Sequence, residues 1–340
     1  MTRRFFLAVG LALGLIFVPP APRPAALGAQ LPSRLSDQDF WQIVTESSEP
    51  NGFFRSDTLT SNELWFQYVI PDLVSRTRPG GAYLGVGPEQ NFTYIAAVRP
   101  AFAILFDIRR GNMLVHLMYK AIFELAKDRA DFVSMLFSKP RPAGLGPTST
   151  ASELFSAFAN SAADEALYGR NLKAIEDRLT KTHGLGLSAG DSAGVRYVYH
   201  AFYARGFRLR PLPTYAELMT ETDEAGVNRS YLATEAGFAF LKELESKNLV
   251  VPVVGDFGGP KAIRAVGAYL KAHGATVTAF YLSNVEQYLY QDNKWTAFCR
   301  NVATLPLDGS STFIRSSSRG GGFVSSLGAM AAEVTSCGSF

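Results

Sequence analysis

The residues best suited to chemistry form one short run, Gly85-Val86-Gly87-Pro88-Glu89-Gln90-Asn91. It follows an apolar stretch over 82–86 and precedes a second one, 102–107, that ends in Asp107. Glycines at 85 and 87 let a ligand approach the backbone closely, and a helix starting near Asn91 aims its N–H groups at that ligand. Asp107 stands twenty positions beyond Gly87, where a carboxylate accepts hydrogen bonds from ribose hydroxyls. The plainer reading is a tight strand-to-helix turn, with Asp107 capping the helix after Gly111 or pairing with an arginine.

Two later apolar runs end in comparable loops. Residues 249–254 lead into Gly255-Asp256-Phe257, and 276–282 lead into Ser283-Asn284. Strand alternating with helix argues for a parallel sheet, whose ligands sit beyond the carboxyl ends of the strands. The candidate ligand-binding residues are therefore Gly85, Gly87, Pro88, Glu89, Gln90, Asn91, Asp107, Ile108, Asp256, Phe257 and Ser283. Asp256 serves equally as an N-cap for the helix after Gly259. Asn284 and Glu286, just past a strand end, are the candidates for a catalytic role.

These loops, in this order, resemble the S-adenosylmethionine-dependent methyltransferase superfamily of Rossmann-like folds. The first loop resembles its motif I, Asp107 the acidic end of its second strand, and Gly255-Asp256-Phe257 its third-strand motif. The resemblance spans roughly residues 80–130 and 248–315. The chain is also similar to a group of exported bacterial proteins with the same first loop followed by Asp107-Ile108-Arg109-Arg110-Gly111-Asn112. The resemblance implies an α/β, Rossmann-like, methyltransferase-type, mostly parallel sheet with a helical insertion. It also implies S-adenosylmethionine or a related nucleoside as ligand, with a methyl acceptor held by the insertion. Position 85 is Gly where the superfamily often carries an acid, and Asn91 and Phe92 stand where further small residues are common. The alternative is a non-catalytic binding or structural protein that keeps the fold without methyl transfer.

A third class comes from Gly190-Asp191-Ser192-Ala193-Gly194, which fits the GxSxG pattern of serine hydrolases, with His273 as a base and His183-Gly184-Leu185-Gly186 as an oxyanion loop. That mechanism needs a strand delivering the serine into a sharp turn. Residues 180–189 hold too few apolar side chains for a buried strand, so Ser192 reads as a helix cap. Arg205, Arg208 and Arg210, beside Tyr203 and Phe207, form either an anion-binding patch or a solvated loop. Tyr197, Tyr199, Phe202 and Tyr203 read as core rather than as a stacking platform, since helical spacing puts several of them on one face.

The elements that position these residues divide the chain into five segments. Residues 1–29 are a signal peptide with Arg3-Arg4, an apolar run over 5–18 and small residues at Gly28-Ala29. The run is shorter than the roughly 20 residues that span a bilayer, so export to the periplasm or beyond is expected, by the Sec or the twin-arginine route. Residues 30–137 hold N-terminal helices, capped by Ser36 or Asp37 and by Ser61, and the first half of the Rossmann-like domain. Residues 138–247 are a linker and helical insertion, and 248–315 are the second half, including a helix over 292–302. Residues 316–340 form a Ser/Gly-rich tail with little to bury.

In 340 residues, 47% hydrophobic content supports a sizeable core. The formal charge of +3 is carried by Arg3, Arg4 and Arg23, leaving the remainder neutral. A neutral domain lacks the field that nucleic-acid binding needs. Cys299 and Cys337 pair in an oxidising compartment or stay as two thiols. With His116, His183, His200 and His273 they show no metal-ligand spacing.

Overall fold

The structure, a computed structural model, describes residues 30–319 and 322–337. The proposed signal peptide lies outside the described residues. Helix α1 (Asp37–Ser47) is capped by Ser36, whose side chain accepts from the Asp39 N–H. Its buried residues Phe40 and Val44 lie one turn apart. The expected cap at Ser61 is not formed. The Ser61 hydroxyl turns inward to Gln90 and its N–H to Glu89, and Trp65 adopts a left-handed φ of +61°. Helix therefore resumes only at a 3-10 turn, Phe66–Val69, which runs into α2 (Ile70–Arg76).

Strand β1 (Ala82–Val86), α3 (Gln90–Val98), β2 (Phe102–Asp107) and α4 (Arg110–Leu125) follow in the expected order. A wholly helical stretch comes next: α5 (Arg129–Phe137), α6 (Ala151–Ala159), α7 (Glu165–Asp177) with a π turn at Arg178–Thr182, α8 (Ala189–Arg205), α9 (Tyr215–Thr220) and α10 (Glu235–Ser246). The alternation returns with β3 (Val250–Val254), α11 (Ala262–Ala272), β4 (Val277–Ser283), α12 (Val285–Gln291), α13 (Trp295–Val302), β5 (Thr312–Arg319), β6 (Gly322–Ala329) and α14 (Met330–Ser336).

The molecule is α/β, with one six-stranded mixed sheet in the order β3-β2-β1-β4-β5-β6. The first five strands are parallel, and β6 runs antiparallel to β5. Strands covered on both faces read as continuous apolar runs, as 82–86 and 250–254 do. On one face Tyr269 of α11 stacks on Phe102, and Phe298 of α13 meets Phe257 and Phe313. On the other, Tyr94 of α3 meets Tyr281, and Phe92 meets Tyr119 of α4. Helices α8 and α10 pack on α4, so the helical segment forms an added layer on that face. Chain direction across the sheet reverses between β1 and β4, which makes their carboxyl ends the switch point.

The helix anticipated over 292–302 forms as α13, and Asn293, with a φ of +56°, separates it from α12, a helix the sequence pattern did not mark. Asn tolerates that left-handed region through its short polar side chain. The Ser/Gly-rich tail from 316 extends β5 and supplies β6, since 312–319 and 322–329 pair as an antiparallel hairpin. Its serines make it look like linker, but an edge hairpin needs few buried side chains. Arg315 ties it down, donating to Glu286 of α12 at 2.9 Å and pairing with Glu333 of α14.

Cys299 of α13 and Cys337 form a disulfide with Cα atoms 5.6 Å apart, closing 38 residues. Restricting an unfolded loop of that length stabilises by about 2–4 kcal/mol. Cys337→Ser is expected to lower the urea midpoint accordingly, and reductant to do the same to the wild type only. Equal midpoints for the two chains without reductant would show that the bridge contributes nothing.

Candidate functional site

The β1 turn is built by its own side chains. Asn91 Nδ2 donates to the carbonyls of Val86, Gly87 and Pro88 at 3.0, 3.1 and 2.7 Å, and its Oδ1 accepts from Tyr83 Oη at 2.9 Å. A Cβ on Gly85 would lie 1.8 Å from Asn91 Oδ1. Position 85 therefore has no room for a side chain, and glycine is required there by packing. Gly87 differs. Its φ is +78°, and no heavy atom lies within 4 Å of where a Cβ would stand. His116 lies beneath the turn and donates from Nε2 to the Gly87 carbonyl at 2.9 Å, while burial pushes its pKa down to about 4.

Gly87 and Pro88 open onto a cavity of about 330 Å³. It lies at the carboxyl ends of four strands, lined by Asp107 and Ile108 from β2, Asp256 and Phe257 from β3, and Ser283 and Asn284 from β4. Residues 51–65 cover it. That segment is held by the Gly52 N–H donating to the Ile108 carbonyl at 2.8 Å, and by Asp57, which accepts from Arg109 and from Tyr197 Oη. Arg55 donates to Tyr288 Oη at 3.1 Å, and Phe54 meets the same ring edge-on.

The sequence candidates thus fall into two groups. Gly87, Pro88, Asp107, Ile108, Asp256, Phe257, Ser283 and Asn284 converge on the cavity. Gly85, Glu89, Gln90 and Asn91 do not line it; the last three are buried beneath it, 0–1% exposed. Glu286 is turned away to Arg315. Asp107 accepts from the Arg109 N–H at 2.8 Å and from its guanidinium at 3.1 Å. Burial raises its pKa and Arg109 restrains the rise. Asp256 pairs with Lys294 at 2.6 Å and accepts from the Gly258 N–H.

Several cavity residues escaped the sequence argument. Glu63 is 1% exposed on the cavity wall. It accepts from Tyr281 Oη at 2.9 Å, from Gln90 Nε2 at 3.1 Å and from Ser283 Oγ. Burial raises its pKa, and these donors, with the Ser316 hydroxyl, oppose that. Arg210 reaches the cavity from the helical segment; its Nε is buried without a partner, and it makes no ion pair among the described residues. It was visible only as one arginine of a cluster. Glu63 lies where a helix capped by Ser61 was expected, and the irregular path the chain takes there instead puts it on the cavity wall.

The GxSxG serine has no nucleophile geometry. Ser192 lies in the first turn of α8, and its Oγ bonds the Ser188 carbonyl at 3.2 Å. Ser188 is the cap, paired with Asp191 in a capping box. Residues 180–189 form no strand, and the His273 ring bonds the Tyr269 carbonyl.

Fold and site together define an α/β protein with a cavity at the switch point of a mostly parallel sheet. The chain belongs to the family described as "Domain of unknown function (DUF7790)", whose model matches residues 58–334. No curated protein matches it.

Glu89 makes the site's pH dependence testable. Its carboxylate accepts from the Ser61 N–H, at 3.1 and 3.3 Å, and burial raises its pKa from 4.5 to about 7 against that bond, its own backbone N–H and the charge of Arg210. Between those values the folded chain holds a proton that the unfolded chain has lost. Its contribution is therefore complete below pH 4.5 and declines as pH rises through 7, by on the order of 3 kcal/mol. The depressed His116 slopes the opposite way, so the difference between chains is the useful quantity. Subtracting the Glu89→Gln stability curve from that of the wild type should leave a downward slope from pH 4.5 to 7. A flat difference rejects the assignment.

Proposed function

We propose that this cavity binds a nucleoside of the S-adenosylmethionine class, making the protein methyltransferase-like. The convergence of Gly87, Asp107 and Asp256-Phe257 on one cavity at the switch point supports the reading. Open space at Gly87 leaves a cradle where a ligand can pass against the backbone. Arg109 supplies two hydrogen bonds to Asp107, and a carboxylate offers about four lone-pair sites, so acceptors remain for vicinal hydroxyls. Ile108 and Phe257 give the apolar walls a base requires. A pyrophosphate fits less well, because the buried side chains of Gln90 and Asn91 occupy the turn where a dinucleotide fold places glycine.

When bound, S-adenosylmethionine supplies an electrophilic methyl group. The chain's part is to exclude water, through residues 51–65, and to align an acceptor, for which Arg210 of the helical segment is the available contact. Alignment and desolvation carry much of such a rate, so no acid or base need stand out. A second reading, binding without transfer, is favoured by one observation. Glu89, Gln90 and Asn91 are all engaged internally, so the turn itself offers few polar groups to a methionine end.

Calorimetric titration of the mature protein with S-adenosylmethionine and S-adenosylhomocysteine tests binding. Asp107→Ala is expected to weaken both about 10- to 100-fold, the cost of hydrogen bonds to a charged acceptor. Absence of heat and of any thermal shift at millimolar ligand discards the nucleoside reading. Binding without label transfer from a methyl-labelled cofactor to small amines, phenols or peptides selects the non-catalytic one.

A further inference from the structure

The charges around the cavity are unevenly matched. Asp107 has Arg109 and Asp256 has Lys294. Glu63, more deeply buried than either, makes no ion pair with any Lys, Arg or His among the described residues. The groups that bond it are neutral, the hydroxyls of Tyr281, Ser283 and Ser316 and the amide of Gln90. The Gln90 Nε2 can only donate, so the group it meets is an acceptor. A carboxylate in such surroundings is costly unless a cation completes it.

A second observation points the same way. Phe54, Phe257, Tyr281 and Tyr288 line the same cavity as Glu63. Aromatic faces around a carboxylate are the surroundings in which ammonium and other onium groups are recognised, through the negative face of each ring.

We propose that Glu63 is the receptor for a positively charged group of the ligand, an ammonium or sulfonium centre held between its carboxylate and the aromatic walls. The ligand class is thereby narrowed from any nucleoside to a cationic one, an extension that rests on the nucleoside reading for the nucleoside half alone. The positive group is bound by the covering segment, so a ligand that carries it also fastens that segment over the cavity.

Titration of wild-type and Glu63→Gln chains with three ligands tests this. S-adenosylmethionine carries an ammonium and a sulfonium, S-adenosylhomocysteine an ammonium alone, and 5′-methylthioadenosine neither. Glu63→Gln is expected to weaken the first two about 10- to 100-fold where the ammonium is the group held, or the first alone where it is the sulfonium, as loss of a charge-assisted contact does, and to leave the third unchanged. Equal weakening of all three makes Glu63 a structural tie, and no weakening of the first two removes its role; either overturns the proposal while the nucleoside reading stands. Failure of all three to bind the wild type removes the nucleoside reading instead. The decision then falls to trimethylsulfonium and methylammonium chloride in a thermal-shift assay against sodium chloride of equal ionic strength. A rise in Tm for the wild type that Glu63→Gln lacks supports the cation site, and no rise overturns it.

Discussion

The hydrogen bond from the Ser61 backbone N–H to the Glu89 carboxylate joins the two halves of the site. Glu89 precedes α3 at the end of the β1 turn, and Ser61 belongs to the segment that covers the cavity. The Ser61 hydroxyl bonds Gln90, Gln90 donates to Glu63, and Glu63 receives Tyr281 and Ser283 of β4. One buried chain of polar contacts therefore runs from β1 through residues 61–63 to β4, across the switch point. Its members are almost wholly removed from water, where an unmade bond costs about 1–3 kcal/mol. Such a network holds or fails largely as a unit. The cavity roof is consequently fixed to its floor through Ser61, Glu63, Tyr281 and Ser283, which line the cavity, and through Glu89 and Gln90, which lie beneath it.

That wiring explains how much of the site was legible in sequence. Strands β1, β2, β3 and β4 were readable because parallel strands covered on both faces are short, nearly unbroken apolar runs. Their terminal residues Gly87, Asp107, Asp256 and Ser283 were placed together by the rule of the switch point alone. Glu89, Gln90 and Asn91 were noticed for their polarity, but polarity in a turn does not say which way a side chain faces. Here Asn91 replaces by its amide what a glycine-rich loop achieves by its backbone. Glu63 stood in an expected helix and Arg210 in a cluster of arginines, and only the tertiary path brings them to β4 and to the cavity. The β5–β6 hairpin was hidden for the opposite reason, its serines being compatible with edge strands and linkers alike.

Buried charge elsewhere in the molecule shows what a purely structural cluster looks like. Glu124 pairs with Lys120 at 2.8 Å and accepts from His183 at 2.7 Å, and His183 reaches Asp37 at 2.6 Å. Contacts to Glu124, then to Asp37, raise the His183 pKa, which stabilises the protonated ring that both carboxylates face. This group ties α1 to α4 and the π turn after α7, and every charge in it has a counterpart. Pairing of this kind is what burial demands of a side chain whose only task is to hold elements together.

Glu63 departs from that pattern, as Glu89 and Glu245 do, but of the three it alone lines the cavity. It is as buried as Glu124 or more so, yet its partners are neutral and it faces a cavity. A buried carboxylate with only neutral donors sacrifices stability that an amide or an apolar side chain would recover. Sites retain such groups when their charge is used by something the fold itself does not supply. On the cation-site proposal the missing partner is positive and enters from the cavity. Residues 51–65 and β4 then close around it together, because Glu63 belongs to the first and its donors Tyr281 and Ser283 to the second.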